Sequence, residues 1–472
     1  MAIVARLAGE GIGPFRSFDF DFSDAQGKPH LGPHIFAGIN GSGKSTVLQT
    51  LAWTLEVDGS GFQWQQWQHL IQGHSSTRAM AVVSYPGNEP FAFAQTMDTS
   101  KGWEKRLLQW AKNLLFEGKI ESLKVEVPSR PFEFEGSPEG GLPRHGVVMG
   151  EKEEAKPRSA VYAAYGPSRL LKHLPEVNLS AHLNNSREDA LSFEATVKNE
   201  AIQSWLLGLF SKRAIAKERG ENMSRYSASL ARFETALKLI SGQDIQFTVD
   251  IEPALQPRLL IYHKKLDFSQ IPDGVRSTVG WLADFLMRMD IHEWPAGADR
   301  IGLLLLDEID AHLHPKWQRL ILPAIKQALP EVQVFATSHS PFVISSCPGA
   351  RIHLLELDAD GHARNRPAED APVGESILAT MKDIFGVSSR FDVETERLLE
   401  EWNELRRSQV AGTIPAKQKQ RLASLTQDLS SRSEELRQIV NPVVPISDSL
   451  VHSLQSQVEL SNQRPARKKA RN

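Results

Sequence analysis

A single cysteine, Cys347, stands in 472 residues, which excludes an intramolecular disulfide and any cage of several cysteine ligands. This fits a reducing compartment and a buried, inert thiol. No apolar run reaches the roughly 18 residues that a membrane span needs, and the opening MAIVARLAGEG lacks the long apolar core and small-residue cleavage site of a secretory signal. A cytoplasmic protein without membrane contact is expected. Neither sign of charge is in excess: a net charge of −3 gives no global reason for nucleic-acid binding, so any such site needs a local basic patch. One candidate is the extreme C-terminus, where Arg464, Arg467, Lys468, Lys469 and Arg471 read more simply as a solubilising tail. Internal repeats are also lacking. What is left is an ordinary globular composition, 41% apolar and 24% charged, in a length that suits two to three domains or one interrupted domain.

Along the chain, Phe18, Phe20 and Phe22 alternate with Asp19, Asp21 and Ser23, the period of a half-buried strand. His34 to Ala37 reads as a short strand, and Thr46 to Leu55 has the apolar spacing of a helix. Met80 to Tyr85 and Phe91 to Gln95 read as strands, whereas Gly136 to Pro157, rich in Gly, Pro and Glu, reads as an exposed loop. Val161 to Tyr165 is a compact strand that breaks at Gly166 and Pro167. From about residue 190 to 242 the texture turns polar and helix-prone, with Trp205, Leu206, Leu209 and Phe210, then Leu230, Phe233, Leu237 and Ile240, at helical spacing. Strands return at Ile245 to Ile251 and Arg258 to Tyr262, followed by an apolar helix over Val279 to Met289. Ile301 to Leu306 and Val332 to Thr337 are continuous apolar runs, the mark of parallel strands covered on both faces.

Three strings carry chemistry. GINGSGKST fits G-x-x-x-x-G-K-[ST] with Gly38, Gly43, Lys44 and Ser45 at the fixed positions and Gly41 as an extra glycine. Glycines let successive backbone N–H groups turn inward as an anion nest, and the following helix adds its positive N-terminal end. Lys44 then neutralises β and γ phosphates and Ser45 ligates magnesium, with Asn40, Ser42 and Thr46 completing the loop. In LLLLDEIDAHLHP, Asp307 ends a buried strand, where it can reach that magnesium, and Glu308 can polarise a water in line with the γ phosphate. In VQVFATSHSPFVIS, His339 follows another buried strand, flanked by Ser338 and Ser340, where it can contact the γ phosphate.

Together these strings resemble the ABC ATPase superfamily, in its soluble RecF, SMC and OLD-like branch, over residues 2 to 370 or so. The resemblance implies an α/β fold: a P-loop ABC ATPase head with a mixed sheet, a helical insertion and a C-terminal helical extension. It implies an N-terminal lobe over 1–185, the insertion over 186–245, a second lobe over 246–372, and a helical extension with basic tail over 373–472. His339 would be the switch histidine, and Ala311 to His314 the loop that meets a partner subunit. YGPSR places Tyr165 and Arg169 among the nucleotide-site residues, and Arg16 lies where the family's first hairpin approaches nucleotide.

The family's signature segment corresponds to FSQIPDGVRSTVGW, with Asp273 and Gly274 as its nucleotide-side residues. Pro272 stands where the signature serine donates a hydrogen bond, and proline has no hydroxyl or N–H to replace it, so either the helix end, Ser269 and Ser277 carry the contact or turnover is slow. Because each composite site takes its loop from one subunit and its signature from another, the resemblance implies a homodimer or higher homo-oligomer that binds ATP and Mg2+.

The expected function is an ATP-hydrolysing sensor or regulator controlling a separate effector protein, a nuclease in kind, in bacterial antiphage systems such as Septu and PARIS. A DNA-repair or DNA-end-binding ATPase acting on double-stranded DNA is the alternative. An OLD-type nuclease is disfavoured, since residues 371–472 contain no D-x-D and no apolar strands. The region after residue 385, with Leu398, Leu399, Trp402, Leu405 and the series Leu422, Leu425, Leu429 and Leu436, is assigned to partner or self-association, its last helix broken by Pro442 and Pro445.

Overall fold

The computed structural model describes residues 3–24, 29–55, 77–84, 91–96, 102–117, 132–134, 144–149, 160–172, 180–183, 185–194, 196–252, 255–294 and 300–441. Two compact units result, Met1–Gly386 and Val387–Asn472.

The first unit opens with β1 (Ile3–Ile12), β2 (Phe15–Asp21), β3 (His34–Gly38), α1 (Lys44–Leu55), β4 (Arg78–Ser84), β5 (Phe91–Thr96) and α2 (Trp103–Glu117). Next come β6 (Phe132–Phe134), β7 (Arg144–Met149), β8 (Ala160–Tyr165), α3 (Asn199–Glu218), α4 (Ser224–Ser241), β9 (Ile245–Asp250), β10 (Gln256–Ile261) and β11 (Lys264–Leu266). Then follow α5 (Asp273–Ile291), β12 (Ile301–Leu306), α6 (Pro315–Gln318), α7 (Ile321–Ala328), β13 (Val332–Thr337) and α8 (Pro341–Ile344). The unit closes with β14 (Arg351–Leu357), β15 (Ala363–Asn365), β16 (Glu369–Asp370) and α9 (Ile377–Phe385).

Thirteen of the described strands join in one mixed sheet, ordered β6-β7-β5-β4-β1-β2-β15-β14-β3-β13-β12-β8 with β16 on β14. The stretch β14-β3-β13-β12-β8 is wholly parallel, whereas β6, β7, β5, β4, β1 and β2 pair antiparallel. This is the α/β architecture with a mixed sheet that the motifs implied.

Period two explains why the parallel strands carry no polar face. Ile35, Ala37, Leu304, Leu306, Val334 and Ala336 point into one core, and Phe36, Leu303, Leu305 and Phe335 into the other. On the first face lie α3, α4, α5 and α7. On the second lie α1 and the phenylalanines of β2, where Phe20 and Phe22 stack at 6.1 Å and Phe22 meets Phe335 edge-on at 4.8 Å. Each such ring removed from water contributes on the order of 1.5–3 kcal/mol. Ten of the twelve residues of α1 are buried, so it holds its place by apolar contact all round rather than by one stripe.

Several expectations change. Strand β7 runs through the segment read as a loop over Gly136 to Pro157, because a short Val-Val-Met run flanked by glycine still pairs with β5. Strand β14 and helix α2 were not anticipated; the apolar run of β14 is interrupted by His353 and bounded by Arg351 and Glu356. Helices α3 and α4 are no separate module, since Ile202, Leu206, Leu209, Phe233, Leu237 and Ile240 belong to the main core. The C-terminal unit starts at Val387 rather than 373, with Ile384 and Phe385 of α9 packed on the core of the first unit.

In the second unit, α10 (Val393–Val410), α11 (Ala416–Arg432) and α12 (Glu434–Val440) form a three-helix bundle. The leucine stripe assigned to a partner is consumed there: Leu398, Trp402, Leu422, Leu425, Leu429 and Leu436 are mutually buried. Pro442, Pro445 and the basic tail lie outside the described residues.

A buried histidine pair joins the start of β3 to its neighbour β14. His34 Nε2 lies 3.1 Å from the His30 carbonyl, which can only accept, so Nδ1 is left to accept from His353 Nε2 at 3.1 Å. Burial holds both imidazoles below their ordinary range, His353 at about 3, so neither is charged in the native state. The unfolded chain binds protons near pH 6.5, so this stability is present above pH 6.5 and lost as the pH falls towards 3. The unfolding free energy from urea titrations should therefore fall between pH 7 and pH 5, by about 2 kcal/mol for His353, with His34 acting in the same direction. His353→Gln, which keeps a donor for His34, should flatten that slope.

Candidate functional site

Because β3, β13, β12 and β8 are parallel and in register, their C-terminal ends fall at one edge of the sheet, the place where open α/β sheets bind ligands. Leu306 pairs with Ala336 and Tyr165, and Phe36 with Thr337. The ladder continues past the strand ends: Asp307 N–H donates to the Tyr165 carbonyl at 2.9 Å, Ile309 N–H to Thr337 at 3.0 Å, and Ser338 N–H to Phe36 at 3.2 Å. The glycine loop, the acid pair and the histidine loop are thereby brought side by side.

The loop leaves β3 at Gly38 and enters α1 at Lys44. Asn40 and Gly41 are exposed, Ser42, Gly43, Lys44 and Thr46 are buried, and Ser45 is half-buried. Gly43 has φ +89°, and a Cβ there would run into the Phe15 ring, so both the conformation and the close approach of β2 require glycine. Lys44 Nζ donates to the carbonyls of Gly38 at 3.0 Å and Ile39 at 2.9 Å, and burial lowers its pKa against the raising effect of Asp307, Glu308 and Asp310. The Ser42 hydroxyl is buried without a partner. An anion-seeking loop with a spare hydroxyl, a lysine and a helix N-terminus fits a nucleotide phosphate chain.

Asp307 is fixed by two hydroxyls: Ser45 Oγ donates to its Oδ1 at 3.0 Å and Thr337 Oγ1 to the same oxygen at 2.6 Å. Adjacent ligands of an octahedral Mg2+ at about 2.1 Å lie about 3.0 Å apart. Ser45 and Asp307 therefore already stand at the separation of a cis ligand pair, and both are hard oxygen donors. Glu308 is exposed, with φ +47°; its N–H donates to Thr337 Oγ1 at 2.7 Å and its carbonyl accepts from Arg169 at 2.8 Å. Thr337, which the sequence reading passed over as the last residue of a strand, anchors both acids.

His339 is half-buried. Burial first, then the charge of Lys44, holds its imidazole below the ordinary range, while Asp310, Glu308 and Asp307 pull the other way. It therefore shares the electrostatic field of the loop and the acids. Ser338 Oγ donates to Asp310 at 2.6 Å, and Ser340 caps α8 while donating to Gln318 at 2.6 Å, which fixes the backbone on either side of the histidine.

Of the other expected site residues, Tyr165 and Arg169 are turned into the protein and Arg16 lies at the surface. Tyr165 is fully buried and its hydroxyl donates to Asp284 at 2.7 Å, so its side chain belongs to the core beneath α5 and not to a nucleotide surface. Arg169 is 2% exposed, and its two terminal guanidinium nitrogens donate to main-chain carbonyls, while its Nε is buried without a partner. Arg16, an exposed residue of β2, faces Asp360 at 3.4 Å.

At the start of α5, Asp273 pairs with Arg276 at 2.6 Å, and Pro272 is an N-cap that supplies no side-chain hydrogen bond. Ser277 is buried and the Ser269 hydroxyl is bonded to Asp267, so neither hydroxyl stands in for the missing serine. Gly274 is needed for another reason: a Cβ there would overlap the His312 carbonyl, so the helix start is seated on the loop that follows the acid pair.

A glycine loop, a carboxylate pair two strands away, a histidine loop on the strand between them and a helix start seated on the acid loop, all on a mixed sheet, define the head of an ABC-type ATPase. A family model described as "AAA domain, putative AbiEii toxin, Type IV TA system" matches residues 262–345. The Septu protein PtuA of Bacillus thuringiensis is 33% identical over 421 residues, covering 86% of this chain and 91% of that protein. The chain therefore belongs to the Septu PtuA family.

The Septu protein PtuA of Bacillus mycoides is 26% identical over 337 residues, 71% of this chain, and the chain spans 38% of its length. The Retron Ec83 probable ATPase of Escherichia coli is 33% identical over 94 residues, 19% of this chain and 17% of that protein.

Thr337→Val keeps the shape of the side chain and removes both anchors. Thermal and urea unfolding should show a loss of about 1–3 kcal/mol from the orphaned polar groups. The Mg2+ concentration that half-saturates nucleotide binding should rise by about 10-fold. An unchanged Mg2+ dependence would mean that Thr337 does not orient Asp307.

Proposed function

We propose that this chain binds and hydrolyses ATP with Mg2+, closes as a homodimer around the nucleotide, and through that closure controls a separate effector, a nuclease in kind, in antiphage defence. The observation that carries the reading is the placing of Lys44, Ser45, Asp307, Glu308 and His339 at one edge of the parallel strands. Magnesium, when bound, would draw charge from the phosphates. Ser45 and Asp307 would hold it, Lys44 would move from its loop carbonyls to the β and γ phosphates, and Glu308 would orient the attacking water. His339, neutral at pH 7, would offer a hydrogen bond to the γ phosphate.

Dimer closure is supported by the exposed ends of the site. His312, His314 and the α5 N-terminus with Pro272 and Asp273 are exposed, although His312 and Gly274 pack together. A phosphate chain bridged by two copies favours the closed pair, and hydrolysis removes that differential affinity. The output is then a conformational signal. Among the described residues no helix is long and apolar enough to cross a membrane. From Ile377 to Val440 the described elements are helices, which offer no sheet for an appended metal-dependent nuclease domain.

Lys44→Ala should weaken ATP binding by about 10-fold or more, whereas Glu308→Gln should keep binding and slow hydrolysis by at least about 10-fold. With ATP and Mg2+, light scattering should report a doubled mass for Glu308→Gln and a single-chain mass for Lys44→Ala. Equal turnover by wild type and Glu308→Gln would remove the catalytic assignment, and an ATP-independent mass would remove the closure. In the same assay Pro272→Ser should raise turnover, since it supplies the hydroxyl that the α5 N-terminus lacks; a loss of turnover would mean that this end docks differently.

A further inference from the structure

Glu308 occupies the left-handed region, at φ +47°, which strains a non-glycine residue. Such a residue stays there only if its peptide groups are held on both sides. On one side the Thr337 hydroxyl accepts its N–H. On the other, Arg169 NH2 donates to its carbonyl at 2.8 Å, while Arg169 NH1 donates to the carbonyls of Asp307 at 2.5 Å and Gly166 at 2.9 Å. Burial lowers the guanidinium's pKa to about 10, while the adjacent acids Asp307, Asp310 and Glu308 favour its charged form. One planar cation thus ties the end of β8 to both peptides of the acid pair, a geometry that a fork of N–H donors meets and a lysine cannot reproduce.

The main chain of Arg169 is itself wedged. A Cβ at Gly280 of α5 would overlap the Arg169 carbonyl, and Leu171 N–H donates to the Arg276 carbonyl at 3.4 Å. The residue therefore has its backbone against the helix whose N-terminus faces outward and its side chain on the acid pair.

We propose that Arg169 is a positioning residue for Glu308: it holds the Glu308 peptide in the left-handed conformation that aims the exposed carboxylate, and so governs turnover without touching nucleotide. This rests on the ATPase reading above, with Glu308 as the water-orienting carboxylate. A nucleotide contact would leave the guanidinium facing the loop surface, whereas here it faces three carbonyls from within the protein.

The test uses the full chain with Arg169→Met and Arg169→Lys, measuring steady-state ATP turnover and the affinity for a fluorescent ATP analogue in Mg2+. Because a misplacement of about 1 Å in a catalytic group can cost on the order of 100-fold, kcat should fall by roughly 10- to 100-fold in Arg169→Met and less in Arg169→Lys. Analogue affinity should stay within about 3-fold of wild type, since only the transition state is affected. In a Glu308→Gln background Arg169→Lys should cause no further loss of turnover. Affinity falling as far as kcat, an unchanged kcat, or full additivity with Glu308→Gln would each overturn the proposal. Should Arg169→Met fail to fold, the lysine variant and the double variant still decide. If Glu308→Gln turns over ATP as fast as wild type, the reading of Glu308 fails and the proposal with it. If Glu308→Gln is slow and the Arg169 variants are not, the proposal alone fails.

Discussion

Four strands, β3, β13, β12 and β8, run the same way and in step, and the site exists because their ends coincide. The register is enforced by burial on both faces: a slip of one residue in β12 would exchange Leu304 and Leu306 with Leu303 and Leu305 between two differently shaped cores. The same slip would move Asp307 away from Ser45 and Thr337. Apolar packing, which carries most of the folding free energy, thereby fixes the position of a carboxylate to within a hydrogen bond.

Around that edge the polar groups are held by other polar groups rather than by solvent. Asp307 takes two hydroxyl donors, Glu308 is clamped through both its peptides, and Asp310 accepts from Ser338. A second buried set secures α5. Arg288 donates to Asp284 at 2.6 Å and to the carbonyls of Ser186, Glu188 and Thr196, while Tyr165 adds its hydroxyl to Asp284. Both charges of this pair are fully buried, a costly arrangement unless every donor is matched. Its three carbonyl acceptors lie on the connection between β8 and α3, so the pair fastens an irregular segment to the helix that begins at Asp273.

What could be read from the sequence follows from which signals are local. The glycine loop, the acid pair and the strand ending at Thr337 are each fixed by a few neighbouring residues, because backbone turns and buried parallel strands leave contiguous patterns. The surroundings of Tyr165 and Arg169 could not be read, for the opposite reason. Their partners, Asp284 for one and the Asp307 and Glu308 carbonyls for the other, are more than a hundred residues away, and a side chain that bonds main-chain oxygen leaves no complementary residue type to find. Thr337 was passed over because its signal, a hydroxyl at the end of an apolar run, is ordinary for a strand terminus. The leucines of the C-terminal unit were visible as stripes, but a helical stripe does not say which helix it meets; here α10, α11 and α12 meet each other.

Lys44 shows how the loop keeps its shape before any phosphate arrives. Its ammonium is partly withdrawn from water and bonded to two carbonyls of its own loop, so the nest is closed by the group that would leave it on phosphate binding. Exchanging two neutral carbonyl acceptors for phosphate oxygens strengthens each hydrogen bond by making both partners charged. Burial, which lowers the proton affinity of Lys44, is opposed by Asp307, Glu308 and Asp310, and these carboxylates would repel the phosphate chain if nothing stood between. A divalent cation held by Ser45 and Asp307 would cancel that repulsion where it is strongest. Lysine, acids and cation would therefore act as one electrostatic unit: the acids favour the charged form of Lys44, Lys44 bonds the carbonyls of its loop, and the cation would let phosphate approach both.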